Sequence, residues 1–316
     1  MRLVFAGTPA AAIPTLRTLA LEHEILAVVT RPDAPLGRKR VLTPSPVAQA
    51  AEQLGLPVIK AARLDDEATG RIAALRPELG VIVAYGGLVR EPLLSTPEHG
   101  WINLHFSLLP AWRGAAPVQR ALIAGDPELG VSVFRLVPAL DAGDLFASRP
   151  VPLQSDANAD IALEVLADDG AGLTAEVVAG IADGTAVPLP QEGEASSAPK
   201  LTLEDGLLDW VQPVEAVYAR FRGVTPEPGA HTTVAGVRLK LIEAHPADDA
   251  EPLSPGEIAA TKQALLIGTA TTPLEVRRVQ PAGKAPMNAT DWWRGFRAPA
   301  RAGSVPTGDD TIRAGA

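Results

Sequence analysis

Asn103 and His105 lie two residues apart in the stretch INLHFSLLPAWRGAAPVQ (102–119), and a proline-broken turn follows them at once. Residues two apart on a strand share a face, so an amide and an imidazole would emerge side by side, toward a loop. Further on, LDAGD (140–144) supplies two carboxylates, Asp141 and Asp144, around Gly143. If the strands that end at these two places are neighbours, Asp141 approaches His105. An amide donor for a developing oxyanion, an imidazole, and a carboxylate that orients or charges it suit acyl transfer onto an amine. No serine or cysteine nucleophile is needed when the attacking amine belongs to a substrate. Taken alone, the Asn-x-His pair fits a structural role as well as a catalytic one.

Such residues need a sheet edge to stand on. The first half of the chain alternates strand-like and helix-like stretches at the rhythm of βαβ units. RLVFA (2–6), EILAVVT (24–30), PVIK (57–60), GVIVAYG (80–86) and WINLHF (101–106) read as strands, and AAIPTLRTLAL (11–21), PVAQAAEQLG (46–55) and DEATGRIAAL (66–75) as helices. The helix APVQRALIAG (116–125) and the strand LGVSVFRLVP (129–138) complete what reads as a parallel-type sheet. The expected fold is an open, doubly wound, mostly parallel α/β domain. Its ligands would bind at the carboxyl ends of the strands, where Asn103 and His105 fall. The opening FAGTPAAAIP holds only Gly7 and lacks a G-x-G-x-x-G fingerprint, so a nicotinamide dinucleotide is not expected.

Between two of these elements, RPDAPLGRKRVLTPSP (31–46) is too proline-rich for a helix or a central strand, and its length marks it as a functional or disordered loop. The helical stretch 160–184 closes a first domain spanning 1–184, and TAVPLPQEGEASSAPK (185–200) opens a linker over 185–203. A second domain follows over 204–316. It begins with the helix PVEAVYARFRG and continues in short strands, AHTTVAGVRLKLIEA with a turn at Ala235-Gly236, then QALLIGT and LEVRRVQ. That pattern predicts a small β-barrel of the oligonucleotide-binding (OB-like) kind. From about residue 300 the composition predicts a frayed tail.

With 316 residues, two domains are more natural than one. The chain has no cysteine, which excludes disulfides, a thiolate nucleophile and thiolate zinc sites. A formal net charge of −9 argues against a general nucleic-acid binder. Basic islands at GRKR (37–40), RRVQ (277–280) and WWRGFR (292–297) still allow one particular RNA as a partner. The longest apolar run, LGVIVAYGGLV (79–89), is too short and too rich in glycine to span a bilayer, and MRLVFAGTPA reads as a first strand rather than a signal peptide. A soluble cytoplasmic protein is expected. His23, His99, His231 and His245 are scattered and read as structural or exposed, and Trp292 and Trp293 as packing of the second domain.

FAGTP (5–9), RPDAPLGRKRVLTPSPV (31–47), VAYGGL (83–88), INLHFSLLPAWRGAAPVQRA (102–121), GVSVFRLVPALDAGD (130–144), APKLTLEDGLLDW (198–210) and QPAGKAPM (280–287) together resemble the formyltetrahydrofolate-dependent transformylases, over nearly the whole chain. Asn-x-His and SLLP mark the wider family. WRGAAPVQ, the GRKR loop and QPAGK resemble its branch that acts on methionyl initiator tRNA at translation initiation. The resemblance implies 10-formyltetrahydrofolate as formyl donor, with no metal, and Asn103, His105 and Asp141 as the catalytic set. In that scheme Asn103 and a protonated His105 stabilise the oxyanion while Asp141 supports the imidazolium. It further implies a folate pocket built from Tyr85, Gly86, Gly87, Leu88, Ser107, Leu108, Leu109, Pro110, Asp141 and Asp144. Arg38, Lys39 and Arg40 of the loop, with Lys284 and Arg294 of the second domain, would hold tRNA, and a monomer is expected. Two departures stand out: Phe106 occupies a position usually small in the family and would change the pocket wall, and Ser197 stands where a tyrosine often precedes APKL. The rival readings are a formyltransferase for a small amine, such as a sugar nucleotide or a purine-pathway ribonucleotide, and a noncatalytic RNA-binding protein on the same scaffold.

Overall fold

The computed structural model describes residues 1–37, 39–296 and 300–303. They form two compact units: Met1–Pro117 with Glu128–Leu153 and Ala162–Pro199, and Val118–Pro127 with Gln154–Ile161 and Lys200–Ala316.

The first unit is built on a seven-stranded sheet: β1 (Arg2–Gly7), β2 (Glu24–Thr30), β3 (Val58–Lys60), β4 (Leu79–Val83), β5 (Trp101–His105), β6 (Leu129–Arg135) and β7 (Leu145–Val151). The spatial order is β7-β6-β5-β4-β1-β2-β3. β1 to β5 are mutually parallel. Every residue of β4 is buried, as is every residue of β1 after Arg2, which is the signature of parallel strands covered on both faces. The strand order reverses between β1 and β4, and in open α/β sheets such a reversal is where ligands bind, at the carboxyl ends of the strands. Gly80 is needed where β4 passes β5, because a Cβ there would stand 2.2 Å from the ring of Trp101. Helices α1 (Ile13–Glu22), α2 (Pro46–Gln53) and α3 (Asp66–Ala74) follow β1, β2 and β3. The last two start where a side chain takes over an orphan amide: Ser45 Oγ accepts from Ala48 N–H and Asp65 Oδ1 from Ala68 N–H, both at 3.0 Å.

The strand after His105 departs from the parallel-type reading. β6 runs antiparallel to β5, and β7 antiparallel to β6. A parallel successor needs a crossover helix lying on the sheet. Here the intervening helix α4 (Pro117–Ala124) clusters, beyond Pro117, with the second unit, so the chain re-enters the sheet at the end where it left. The proline-rich stretch 31–46 contains a small hairpin, Ala34–Leu36 against Val41–Thr43, where a structureless loop is the sequence expectation. Residues 185–199, linker-like in composition, belong to the first unit. Leu189 and Leu145 exchange backbone hydrogen bonds of 2.8 and 2.9 Å, and Ser197–Ala198 pairs with Arg113–Gly114. The long helix α5 (Ala159–Ala182) comes close to β5 at Gly170, where a Cβ would stand 2.8 Å from Leu104 Cδ2.

The second unit carries an antiparallel sheet of β8 (His231–Val234), β9 (Val237–Pro246), β10 (Ile258–Ala260), β11 (Leu265–Ile267) and β12 (Leu274–Pro281), ordered β8-β9-β12-β11-β10, with β13 (Met287–Asn288) on β12. Register breaks at Leu241/Glu243 and Glu243/Ala244 bend β9, and the curled sheet is consistent with a small barrel. Helix α6 (Val214–Gly223) lays Val217 and Phe221 onto a core with Trp210, Leu241 and Val276, which Trp292 and Trp293 flank. The β8–β9 turn has positive φ at both Ala235 and Gly236, 47° and 76°, as a tight hairpin requires. Of the expected frayed tail, Arg301 and Ala302 bridge to Glu257 and Val234, and 304–316 lie outside the described residues. Among the described residues no helix is long and apolar enough to cross a membrane.

Candidate active site

The β5–β6 pairing sets the site. His105 stands opposite Ser132, and Asn103 opposite Phe134. The Ser132 hydroxyl is fully buried; it donates to Ser107 O at 2.7 Å and accepts from Leu109 N–H at 3.1 Å, pinning the turn that follows β5. Ser107 Oγ closes the same turn by donating to Ala111 O at 2.6 Å. Ser132 was not a sequence candidate; only the antiparallel register, which puts it across from His105, reveals its part.

His105 is 6% exposed, and its Nε2 lies 2.9 Å from Trp112 O. A carbonyl can only accept, so Nε2 carries a hydrogen and, in the neutral ring, Nδ1 does not. Asp141 Oδ2 sits 4.0 Å from that Nδ1 and accepts Gly114 N–H at 2.8 Å. Burial pushes the His105 pKa below 6.5, against the opposing pull of Asp141 and of the Trp112 carbonyl. Burial therefore favours the neutral form of the resting ring. The physical reason is that desolvation of a nearly enclosed ring outweighs one carboxylate held beyond hydrogen-bond distance. Phe134 packs edge-on to the ring at a centroid distance of 6.4 Å. Beside it, Asn103 Oδ1 is buried with no hydrogen-bond partner among the described residues. An unpaired polar atom on an otherwise satisfied strand is the kind of exception that active sites carry. Asn103 and His105 thus lie two apart on β5, and the Asp141 carboxylate comes to within 4.0 Å of the His105 ring.

Residues 1–177 match the family model described as formyl transferase, and residues 200–297 that described as formyl transferase, C-terminal domain. The chain belongs to the formyl transferase family. The methionyl-tRNA formyltransferase of Clavibacter sepedonicus is 60% identical over 296 residues, 93% of this chain and 97% of its own length. That of Leifsonia xyli subsp. xyli is 59% identical over 295 residues, covering 93% and 97%. The crystal structure of an N-formyltransferase from Helicobacter canadensis, in complex with folinic acid and dTDP-3-aminofucose, shares the fold at a TM-score of 0.67 and 14% identity, over 88% of this chain and 98% of that one.

Within this formyl transferase the remaining candidates separate. Gly86 has φ +77° with open space where a Cβ would point, and Leu88 is 67% exposed, so the loop after β4 offers bare backbone and an apolar side chain to a ligand. The Tyr85 side chain does not join them: it is buried, and its hydroxyl donates to Ala61 O at 2.9 Å. Gly87 lies over the Tyr85 ring, where a Cβ would stand 2.5 Å from Tyr85 Cε1. In the Ser107–Pro110 turn, Ser107 and Leu109 face inward while Leu108 and Pro110 are half-buried. Asp144 contributes its carbonyl to Arg135 N–H at 2.8 Å, which holds the end of β6. Phe106 is 7% exposed, packed inward. Lys39, Arg40 and Lys284 are exposed, and Arg294 is exposed but paired with Asp291 at 3.0 Å, which offsets part of its charge. Arg38 lies outside the described residues. Among the described residues no group of three or more His, Cys, Asp or Glu side chains is placed to hold a metal.

Proposed function

We infer that the chain transfers the formyl group of 10-formyltetrahydrofolate to the amino group of methionyl initiator tRNA, as a monomer in the cytoplasm. The observation that carries this reading is the 60% identity to a methionyl-tRNA formyltransferase over almost the full length of both chains, together with an intact Asn103, His105 and Asp141 set. Likeness to sugar-nucleotide formyltransferases is far lower in sequence and concerns the fold alone. In this reading the chain divides into a catalytic domain over 1–184, a connecting stretch over 185–203, of which 185–199 pack with the first unit, and a tRNA-binding domain over 204–316.

The donor supplies the electrophilic formyl carbon. Its folate portion would lie at the carboxyl edge of the sheet, along the backbone of Tyr85 to Leu88, the turn from Ser107 through Leu108 and Leu109 to Pro110, and the loop from Asp141 to Asp144. The unpartnered Asn103 Oδ1, an acceptor, and the open backbone at Gly86 leave room for a ligand's polar groups. As the acceptor amine attacks, the Asn103 amide donates to the carbonyl oxygen on which charge gathers. His105 Nδ1, free of hydrogen at rest, takes the proton that the amine gives up. The imidazolium so formed lies between the Trp112 carbonyl and the Asp141 carboxylate, and both favour its charge. Asp141 therefore acts after proton transfer rather than before it. As the tetrahedral adduct collapses, the bond from the formyl carbon to the folate N10 breaks, N10 takes the electron pair, and the imidazolium returns its proton there to release tetrahydrofolate.

Arg38, Lys39 and Arg40 would hold the acceptor end, and Lys284 and Arg294 would track phosphates. Phosphate contacts position without reading sequence. The test is formyl transfer from 10-formyltetrahydrofolate to methionyl initiator tRNA, methionyl elongator tRNA and a dTDP-aminosugar. Transfer to the initiator tRNA alone is expected, and transfer to the sugar alone would overturn the reading.

A further inference from the structure

Gln191 lies in the segment that sequence composition marks as a linker, yet its side chain reaches the loop that carries Asp141. Its Nε2 donates to Asp141 O at 2.9 Å and to Gly143 O at 2.8 Å. Its Oε1 accepts from Arg113 Nε at 3.2 Å and Nη2 at 2.6 Å. Both amide hydrogens and both oxygen lone pairs are thereby used. Arg113 has no carboxylate within ion-pair distance among the described residues, so its charge faces the Gln191 oxygen and polarises the amide toward its two acceptors.

The contacts form a closed ring. Gly114, next to Arg113, donates its N–H to Asp141 Oδ2 at 2.8 Å. Arg113 grips Gln191, and Gln191 grips the Asp141 carbonyl. Asp141 is thus held by its carboxylate and by its backbone, through partners that are themselves joined. Asp141 sits at φ +46°, in the left-handed region that Asp enters more readily than most side chains, and these contacts fix it there. The other side of His105 is secured by the same segment: Ser196 Oγ accepts Trp112 N–H at 2.8 Å, and Trp112 O meets His105 Nε2.

We propose that Gln191, gripped by Arg113, is a positioning residue that holds the Asp141 carboxylate at its working distance from His105. The proposal rests on the catalytic reading of Asp141 and His105. Gln191 need not touch either substrate; it acts through the loop.

The test is a double-mutant cycle on the full chain, with 10-formyltetrahydrofolate and methionyl initiator tRNA. Gln191→Met keeps length and bulk but removes all four hydrogen bonds. It should lower kcat about ten- to a hundred-fold, as small displacements of a catalytic group do, with KM for both substrates within about three-fold. Asp141 raises the His105 pKa, so its displacement should also move the acid limb of the kcat/KM profile to lower pH. In an Asp141→Asn background, Gln191→Met should cost almost nothing further, because the group it positions is already gone. Additive losses in the cycle, or a Gln191→Met enzyme with wild-type kcat beside an impaired Asp141→Asn, overturn the positioning role alone. Asp141→Asn at wild-type turnover overturns that role and the catalytic reading together. Should Gln191→Met fail to fold, Arg113→Lys, which loses the forked grip while leaving Gln191 in place, decides by the same cycle.

Discussion

A buried carbonyl oxygen without a partner costs stability, and Asn103 carries one beside the histidine at the end of β5. The catalytic reading uses the other end of the same amide, its NH2 group, as the oxyanion donor. Asn103→Ala should slow single-turnover formyl transfer by about a hundred- to a thousand-fold, the usual loss of one oxyanion donor, while circular dichroism shows an unchanged fold. Near-normal turnover in a folded Asn103→Ala enzyme would remove the amide from the mechanism. His105 gives a second, pH-dependent test. Because burial lowers its folded-state pKa below 6.5, the working, neutral form persists into mild acid. The rate kcat/KM should hold as pH falls through 6.5 and drop only further down, and this limb should be absent in His105→Asn. Stability follows the same sign. Between the folded pKa and 6.5 the unfolded chain binds more protons than the native one, so the contribution is present above 6.5 and is lost as pH falls through the folded value. Urea melts from pH 7 to pH 5, compared with His105→Asn, measure it.

Two short segments, Arg113–Gly114 and Ser197–Ala198, lock the loops that frame His105. Their approach is so close at Gly114 that a Cβ would stand 2.6 Å from Ala198 O, with φ at +132°. Neither the backbone angle nor the space admits a side chain. Gly114→Ala should destabilise by roughly 1–3 kcal/mol and lower turnover as well, since the amide that holds Asp141 Oδ2 is displaced. Gly86→Ala provides the contrast. There φ is +77° but nothing lies within 4 Å of the added carbon, so only the backbone term of about 1–2 kcal/mol applies. Guanidinium melts of the two variants should differ, with Gly114→Ala the less stable; equal losses would mean that the clash with Ala198 has no weight.

At the scale of the whole molecule, a net charge of −9 must coexist with a polyanionic substrate. Affinity then has to come from a few placed cations rather than from an overall field. Lys39 and Arg40 stand exposed near a hairpin whose tip also exposes Leu36, Val41 and Leu42, by 67%, 59% and 68%. The double variant Lys39→Ala/Arg40→Ala should weaken tRNA binding and flatten the slope of log K against log salt by about one for each phosphate left without its cation. Folate affinity, read by titration, should stay as in the wild type. A loss confined to folate would place these residues in the wrong site.

Much of this protein is decided locally. Strand and helix positions follow from hydrophobic period, from the caps at Ser45 and Asp65 and from the turn at Ala235-Gly236, because each depends on neighbours within a few residues. The Asn-x-His pair is legible for the same reason, since a two-residue spacing on a strand guarantees a shared face. The resemblance of short motifs named the family. Other features depend on partners far apart in the chain, and no local pattern carries them. The reversal of β6, which sets Ser132 against His105, follows from where α4 packs rather than from the residues of the strand. Tyr85 turns inward because Ala61, on a different strand's end, offers its carbonyl. The charge of His105 is a property of its enclosure, which a sequence does not display. Gln191, in a stretch whose composition says only linker, meets Asp141 fifty residues away, and only the folded chain brings that amide to that carbonyl.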